Sequence, residues 1–134
     1  MRTFLDTNIF LYAAGGTHPR RDACARILHK VADGTLEATV NSEVLQEILH
    51  VLSRRGKTEE ATQLVGYVAA LFPDMLPVGR EDVLEACKLV QRDSKLSVRD
   101  AVHAATMMRN GLKRIISVDP DFDRIPGIRR IEPG

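Results

Sequence analysis

The sequence has few aromatic residues, few cysteines, almost no net charge and no long uncharged apolar run. Tryptophan is absent and tyrosine occurs only twice, which leaves little surface on which single-stranded bases could stack. Two cysteines, Cys24 and Cys87, are too few for a disulfide framework and lack the CxxC spacing of a zinc site. A net charge of +1 excludes a polybasic surface that binds nucleic acid by charge alone. Because no run approaches the roughly 20 apolar residues of a membrane span, no membrane segment is expected.

The length of 134 residues fits a single domain over residues 1–134, and a chain of this size can bury a core without crosslinks. The apolar N-terminal stretch is interrupted by Asp6 and Asn8. A signal peptide keeps its hydrophobic segment uncharged. We therefore interpret this stretch as the first strand and turn of a cytoplasmic domain.

Short apolar runs alternate with segments of helical periodicity along the whole chain. Strands are predicted over residues 3–5, 36–40, 75–78 and 114–117, with a fifth over 128–131. Helices are predicted over residues 20–32, 42–55, 58–72, 80–92 and 97–110, with a short one after residue 6. This alternation predicts an α/β fold with a parallel sheet of four to five strands covered by helices on both faces. Ligands bind such sheets at the carboxyl ends of the strands.

Two aspartates follow predicted strands at that end of the sheet. Asp6 comes directly after the first strand, and Asp119 comes shortly after the strand that ends near Ser117. Either residue alone could be a turn former or a helix cap. Asp121 and Asp123 add further acids to the second turn, which could be only a solvated loop.

Two glutamates lie one turn apart on the helix after the second strand. The helical periodicity places Glu43 on the solvent side with His50 and Arg54. Glu47 lies at the border of the apolar face, next to Val51, where a side chain can lean into a cleft. Glu47 is therefore the better candidate for a functional acid.

Asp100 lies at a similar border on the last long helix. Ser97 and Asp100 have the spacing of a capping box, which is a structural alternative for Asp100. His103 follows one turn later, and the pair could present an oxygen and a nitrogen to one metal ion. A single histidine among small residues is more often packed in the core or supports a ligand, and we expect that for His103.

The acids carry more information as a set than singly. If Asp6, Glu47, Asp100 and Asp119 converge, their like charges raise one another's pKa and destabilise the fold unless a cation compensates. All-oxygen ligands favour Mg²⁺ or Mn²⁺. The sequence contains no Walker loop, no GxSxG elbow and no HExxH helix, so a carboxylate-held metal is the chemistry it offers.

Four segments in this order resemble the PIN-domain family, and within it the small single-domain toxins of the VapC type. They are Phe4-Leu-Asp-Thr-Asn8, Ser42-Glu-Val-Leu-Gln-Glu47, Asp100-Ala-Val-His-Ala-Ala105 and Ile115-Ile-Ser-Val-Asp-Pro-Asp-Phe122. Ile125-Pro-Gly-Ile128 is also in place, and the resemblance spans essentially the whole chain.

The resemblance implies a PIN-like three-layer sandwich and a metal-dependent ribonuclease that uses Mg²⁺ or Mn²⁺. The acidic quartet of the family carries onto Asp6, Glu47, Asp100 and Asp119. Further positions that match are Asn8 and Ser117, which would orient carboxylates or water, and Asp121, where some members have an additional acid. Toxins of this type act as homodimers on RNA and are silenced by a cognate antitoxin, whose C-terminal segment can place a basic side chain in the acidic pocket.

Basic residues near the acids are candidates for phosphate contacts. Arg54 ends the helix of Glu47, while Lys95 and Arg99 precede Asp100. Each could instead neutralise a helix end or solvate a loop. If four of the eighteen acids gather around metal, nineteen basic residues face fourteen remaining acids, and a nearly neutral chain can present a cationic face to RNA.

Two other functions remain open from the residues alone. A phosphatase could use Asp6 as a covalent nucleophile, but such enzymes usually place a second acid where this chain has Asn8. A non-catalytic module could keep the fold to bind RNA or protein, and the complete set of acids argues against it.

Overall fold

A parallel four-stranded sheet forms the centre of the fold in the computed structural model, which describes residues 2–134. Its strands lie in the order β2-β1-β3-β4. They are β1 (Thr3–Leu5), β2 (Ala38–Thr39), β3 (Arg114–Ile116) and β4 (Arg129–Ile131). Successive side chains of a strand point to opposite faces, yet all three residues of β1 are buried. The sheet is therefore covered on both faces, as the α/β periodicity predicts.

Six α-helices and one short 3₁₀ helix connect the strands in the described part of the chain. The α-helices are α1 (Thr7–Ala14), α2 (Arg21–Ala32), α3 (Ser42–Arg54), α4 (Thr58–Leu71), α5 (Arg80–Arg92) and α6 (Val98–Arg109). The 3₁₀ helix spans Pro120–Arg124. Polar side chains cap three α-helix N-termini in the way their types favour: Asp6 for α1, Asn41 for α3 and Ser97 for α6. Helix α4 begins at Thr58, as the helix predicted over residues 58–72 requires, and Lys57 precedes it without a side-chain cap.

The strand predicted over residues 75–78 does not form. Leu76 makes only a single parallel bridge to Asn41, with its amide donating to the carbonyl of Val40 at 2.9 Å. Pro77 follows directly and has no amide hydrogen to continue a ladder. The predicted second strand is also shorter than expected, since only residues 38–39 pair with β1.

The hydrophobic core is one cluster that spans the sheet and its helices. Helix residues contribute more of its fully buried large side chains than strand residues do. These include Phe4, Leu5, Phe10, Ile48, Met107, Ile115 and Phe122. His103 is buried among them, with its ring centroid 5.3 Å from that of Phe4. Among residues 2–134, no helix is both long and apolar enough to cross a membrane.

The direction of the chain across the sheet changes at β1. The connection after β1 leads to β2 on one side, while β3 lies on the other side of β1. The carboxyl ends of β1 and β3 are therefore adjacent, and the amide of Asp6 donates to the carbonyl of Ile116 at 3.1 Å. This is the topological switch point at which open α/β sheets bind their ligands.

Candidate metal centre

Asp6 is fixed at the carboxyl end of β1 with only 3% of its surface exposed. Its Oδ1 accepts from the amide of Thr7 at 2.8 Å, and its Oδ2 accepts from the hydroxyl of Ser117 at 2.6 Å. Burial raises the pKa of Asp6 above its usual value, although His103 and the two hydrogen bonds act in the opposite direction. The carboxyl group is thus rigidly held and costly to ionise without a nearby cation.

Glu47 reaches the same place from the second turn of α3. Its Oε1 accepts from the hydroxyl of Thr7 at 2.6 Å and lies 3.3 Å from Nε2 of His103. Burial would raise the pKa of Glu47, but the hydrogen bonds from His103 and Thr7 outweigh it and hold the pKa below its usual value. Glu47 is therefore ionised at neutral pH.

Asp100 lies in the first turn of α6, where its amide donates to the side chain of Ser97 at 3.1 Å. Of the capping box that the Ser97–Asp100 spacing predicts, only the bond to the Ser97 side chain is present, and the described residues show no bond from the amide of Ser97 to the carboxyl group of Asp100. Burial, the negative charge of Asp6 and the hydrogen-bonded carboxyl group of Asp119 together raise the pKa of Asp100 to about 8. Without a cation, this residue is mostly protonated at neutral pH.

Ser117, Asp119 and Asp121 form the turn after β3. The hydroxyl of Ser117 accepts from the amide of Asp119 at 3.0 Å, and Oδ1 of Asp119 accepts from the amide of Asp121 at 2.9 Å. Nη1 of Arg124 donates to Oδ1 of Asp121 at 2.7 Å, and its Nε donates to Asp93 in the loop before α6. Asp121 thus belongs to the acidic turn but forms an ion pair with Arg124.

The structure brings the four acids of the predicted quartet into one cluster. The potential ligand atoms form two groups, and within each group they lie within 4.8 Å of one another. The charge of Asp6 in one group raises the pKa of Asp100 in the other. The first group contains Asp6, Glu47 and His103, and the second contains Asp100, Asp119 and Asp121.

The donor set fits a divalent cation with oxygen ligands. Two of the carboxyl groups have raised pKa values because they are buried beside other negative charges. A bound Mg²⁺ or Mn²⁺ would supply the positive charge that allows Asp6 and Asp100 to ionise together. Among residues 2–134, His103 is the one basic side chain in direct contact with Asp6 or Glu47. Its single positive charge, when protonated, cannot balance four carboxylates.

Thr7 and His103 belong to the cluster although sequence reasoning did not select them. Thr7 was part of a motif interpreted as a turn, and its hydroxyl is fully buried against Glu47. For His103 the sequence leaves open a metal-ligand role beside Asp100 and favours a packed or supporting residue. The signal for both was their adjacency to selected acids, Thr7 next to Asp6 and His103 one turn after Asp100.

The position predicted for Glu43 is wrong. The side chain of Glu43 is only 17% exposed, compared with 18% for Glu47, and it lies 3.7 Å from Nε of Arg99. The first turn of α6 packs beside α3 at this point, so Arg99 covers a face that the periodicity of α3 alone assigns to solvent. Arg99 consequently stands at the edge of the acidic cluster and lowers the pKa of Glu47.

The other predicted supporting and basic residues lie in different places. Asn8 is half-buried in the first turn of α1, two residues after Asp6. Lys95 is exposed in the loop before α6, where its amide donates to Asp93. Arg54 is at the far end of α3, two turns beyond Glu47, and lines a surface groove with His50 and Leu49. The structure brings Arg99 to the acids but not Arg54.

A parallel sheet with a cluster of carboxylates at its switch point defines an α/β protein with a candidate metal centre. Residues 3–128 match the family model of the PIN domain, and the chain belongs to that family.

The curated relatives that the chain resembles are ribonucleases by name. It is 33% identical to Ribonuclease VapC13 of Mycobacterium tuberculosis, over 95% of this chain and 97% of the relative. It is 32% identical to Ribonuclease VapC7 of the same species, over 96% of this chain and 90% of the relative.

Solved structures share the fold at lower sequence identity. VapBC2 from Rickettsia felis, bound to a DNA fragment from its promoter, superposes with a TM-score of 0.75 at 18% identity and covers 98% of both chains. VapC20 of Mycobacterium tuberculosis, described as a toxin that cleaves the sarcin-ricin loop, also gives a TM-score of 0.75 at 18% identity, over 90% of this chain and 92% of that one.

Proposed function

We propose that this chain is a Mg²⁺- or Mn²⁺-dependent endoribonuclease and the toxin component of a type II toxin–antitoxin pair. The observation that carries the proposal is the convergence of Asp6, Glu47, Asp100 and Asp119 at the switch point of the sheet. Relatives named as ribonucleases over nearly the full chain support RNA as the substrate.

Asp6 and Asp119 are the primary metal ligands in this proposal because each is held at the end of a strand. The hydroxyl of Ser117 joins them, donating to Asp6 and accepting from the amide of Asp119. Asp100 completes the ligand set from α6, and Asp121 adds a further negative charge beside Asp100 and Asp119. When bound, a divalent cation lowers the pKa of a coordinated water and stabilises the charge that develops on the phosphate.

Glu47 holds a water molecule or shares the metal in this arrangement. Its pKa is depressed by His103 and Thr7, so it is ionised and able to accept a hydrogen bond from an attacking water. Asp100 has the opposite property at neutral pH, since its carboxyl group keeps a proton until positive charge enters the cluster. The two acids are therefore matched to different tasks, with Glu47 oriented towards water and Asp100 towards metal.

Substitution of Asp6 tests the proposed activity. Asp6→Asn keeps the shape of the side chain and removes its charge, so we expect cleavage of RNA in Mn²⁺ to be lost while the fold is retained. Asp33→Asn, at an exposed turn, is the matched control and should cleave like the wild type. RNase activity of Asp6→Asn equal to that of the wild type, at matched purity and with a matched circular dichroism spectrum, would refute the proposal.

The proposed partners are RNA, a cognate antitoxin and a second copy of the chain. Structural neighbours described as VapBC complexes support the antitoxin. A basic antitoxin side chain entering the acidic cluster would compensate the charges of Asp6 and Asp100 in the way a metal ion does. We further propose that residues 1–134 act as one domain in the cytoplasm, where RNA is available, and that the chain is a homodimer.

Arg99 and Lys95 are the proposed contacts to RNA phosphates. Arg99 lies beside Glu43 at the edge of the cluster, and Lys95 is exposed a few residues earlier in the chain. Phosphates on either side of the cleaved bond would meet these cations while the bond itself lies over the acids. The sequence also offers Arg54 as a candidate, but it lies two turns beyond Glu47 on α3, and we do not include it in the proposed contact.

A further inference from the structure

His103 is completely buried and is directed at the acidic cluster. Its Nε2 lies 3.3 Å from Oε1 of Glu47, 3.4 Å from the hydroxyl of Thr7 and 3.8 Å from Oδ1 of Asp6. Its other nitrogen, Nδ1, is buried without a hydrogen-bond partner among residues 2–134. The Nε2 edge of the ring therefore faces the acidic cluster, and the Nδ1 edge is buried in the core.

The hydrogen bonds around Glu47 require a hydrogen on Nε2 of His103. The hydroxyl of Thr7 donates to Oε1 of Glu47 at 2.6 Å, a short distance expected for a bond to a carboxylate. With its proton used in this way, the Thr7 oxygen can only accept from His103, and Oε1 of Glu47 can only accept as well. Nε2 of His103 must carry a hydrogen to satisfy both neighbours. That hydrogen is present in both the neutral Nε2–H tautomer and the imidazolium, so the contact does not depend on the charge of the ring.

These two donors leave the oxygens of Glu47 in different situations. Oε1 accepts from both Thr7 and His103, and these bonds connect it to the start of α1 through Thr7 and to α6 through His103. No hydrogen bond from residues 2–134 reaches Oε2. Glu47 therefore has one oxygen fixed by the protein and one oxygen available for a ligand.

We propose that His103 and Thr7 are positioning residues that hold Glu47 so that a single oxygen, Oε2, is presented to a metal ion or its water. This inference rests on the proposed metal-dependent function. Residues that bind a metal-ligating carboxylate from behind typically change metal affinity about 10–100-fold when they are removed. His103 acts on Glu47 and does not itself coordinate metal.

A pair of substitutions that differ only in reach tests the role of His103. The amide nitrogen of glutamine lies as far along the side chain as Nε2 of histidine, whereas that of asparagine corresponds to Nδ1 and falls short of Glu47. Both variants introduce a buried amide and lose the ring contact with Phe4, so their stabilities should be similar. We expect His103→Asn to weaken Mn²⁺ binding to the metal-free protein at least tenfold in calorimetry, and His103→Gln to restore affinity close to the wild type.

Thr7→Val and Thr106→Val complete the test. Thr7→Val removes the second donor to Glu47 without changing the size of the side chain, and it should also weaken Mn²⁺ binding about tenfold. Thr106 is buried one turn beyond His103 on α6, and its hydroxyl accepts from the side chain of Asn41 at the start of α3. Like His103, it links α6 to α3, but it does so away from the acids. Thr106→Val should lower thermal stability but leave Mn²⁺ affinity unchanged.

The outcomes separate this inference from the proposed function. Equal Mn²⁺ affinities of the wild type, His103→Asn and His103→Gln would overturn the positioning role while leaving the metal site intact. A nitrogen coupling in the electron spin echo spectrum of the Mn²⁺-bound wild type would also overturn it, because His103 would then be a ligand. Failure of the wild type itself to bind Mn²⁺ would overturn the proposed function and this inference together.

Discussion

The hydroxyl of Ser117 donates a 2.6 Å hydrogen bond to Oδ2 of Asp6, although the two residues are 111 positions apart in the chain. The same hydroxyl oxygen accepts from the amide of Asp119 at 3.0 Å. One buried side chain thus contacts both Asp6 and Asp119 and links two acids of the cluster at the ends of β1 and β3.

Ser117→Ala is expected to reduce Mn²⁺ affinity and RNA cleavage about 10–100-fold, because Asp6 and Asp119 lose their common anchor. The loss of stability should be modest, about 1–3 kcal/mol in urea unfolding, since one buried acceptor on Asp6 is left unpaired. Ser42→Ala is the matched control: its hydroxyl accepts from the amide of Val78 and contacts no acid of the cluster. Equal cleavage rates for the two variants would contradict the anchoring role.

The stability of the metal-free protein should fall as pH rises from about 5 to 8. Asp100 has a pKa of about 8 in the folded chain and about 3.9 when unfolded, so over this interval the folded state holds a proton that the unfolded state has lost. The raised pKa of Asp6 acts in the same direction. Glu47 has a lowered pKa and acts oppositely, but its contribution is already complete above about pH 5.

Thermal melts in a chelating buffer at several pH values measure this effect. In Asp100→Asn the amide cannot ionise, and the fall in melting temperature between pH 5 and 8 should be smaller than in the wild type. Addition of Mn²⁺ at pH 8 should raise the melting temperature of the wild type more than that of the variant. Identical pH profiles for the two proteins would show that Asp100 does not have a raised pKa in the folded protein.

Arg99→Ala and Lys95→Ala should weaken RNA binding in a salt-dependent way. Each lost phosphate contact reduces the slope of log affinity against log salt concentration by about 0.7 for single-stranded nucleic acid. Arg54→Ala serves as the control because Arg54 lies two turns beyond Glu47 and away from the acids. Binding is measured by fluorescence anisotropy between 50 and 200 mM salt with Ca²⁺ in place of Mn²⁺. An Arg54→Ala slope that changes as much as that of Arg99→Ala would refute the proposed placement of RNA.

Asp82→Ala should destabilise the fold without affecting cleavage. Asp82 is buried at the start of α5, where it accepts from the amide of Gly79 at 2.8 Å and lies 2.9 Å from Nε of Arg109 on α6. Its removal unpairs the start of one helix and the end of another, and a loss of about 2 kcal/mol is expected in urea unfolding. RNase activity below the unfolding transition should match the wild type. A selective loss of activity at full stability would place Asp82 in the functional site.

The α/β architecture was predictable because its signals are local. Helical periodicity predicts α3 and α6 to within a residue or two, and in the structure Asn41 and Ser97 cap them by accepting from amides only three residues away. The strand predicted over residues 75–78 does not form, in part because Pro77 has no amide hydrogen to continue a ladder. Its apolar pattern is correct for a buried segment, but the edge of the sheet accommodates just the one bridge between Asn41 and Leu76.

The acids of the candidate site were predictable, as was Ser117 beside Asp6, but the contacts around Glu47 were not. Asp6 and Asp119 follow strands, and their position at the switch point comes from topology. The contacts of Glu47 with Thr7 and His103 join residues 40 and 56 positions apart, and no periodicity encodes them. Glu43 shows the same difficulty: a helix considered by itself has a solvent side, and α6 converts that side into a contact with Arg99.

The two outer strands of the sheet are short, and this affects how copies of the chain can associate. β2 has two residues, and β4 has three, of which Arg129 and Arg130 are charged. Brief or charged edges offer few backbone groups for pairing with another sheet and protect a protein from growing into fibres. Arg130 also folds back to donate to the carbonyl of Ser117 at 3.1 Å. We therefore expect any dimer of this chain to form between helices, so that assembly and aggregation depend on different surfaces.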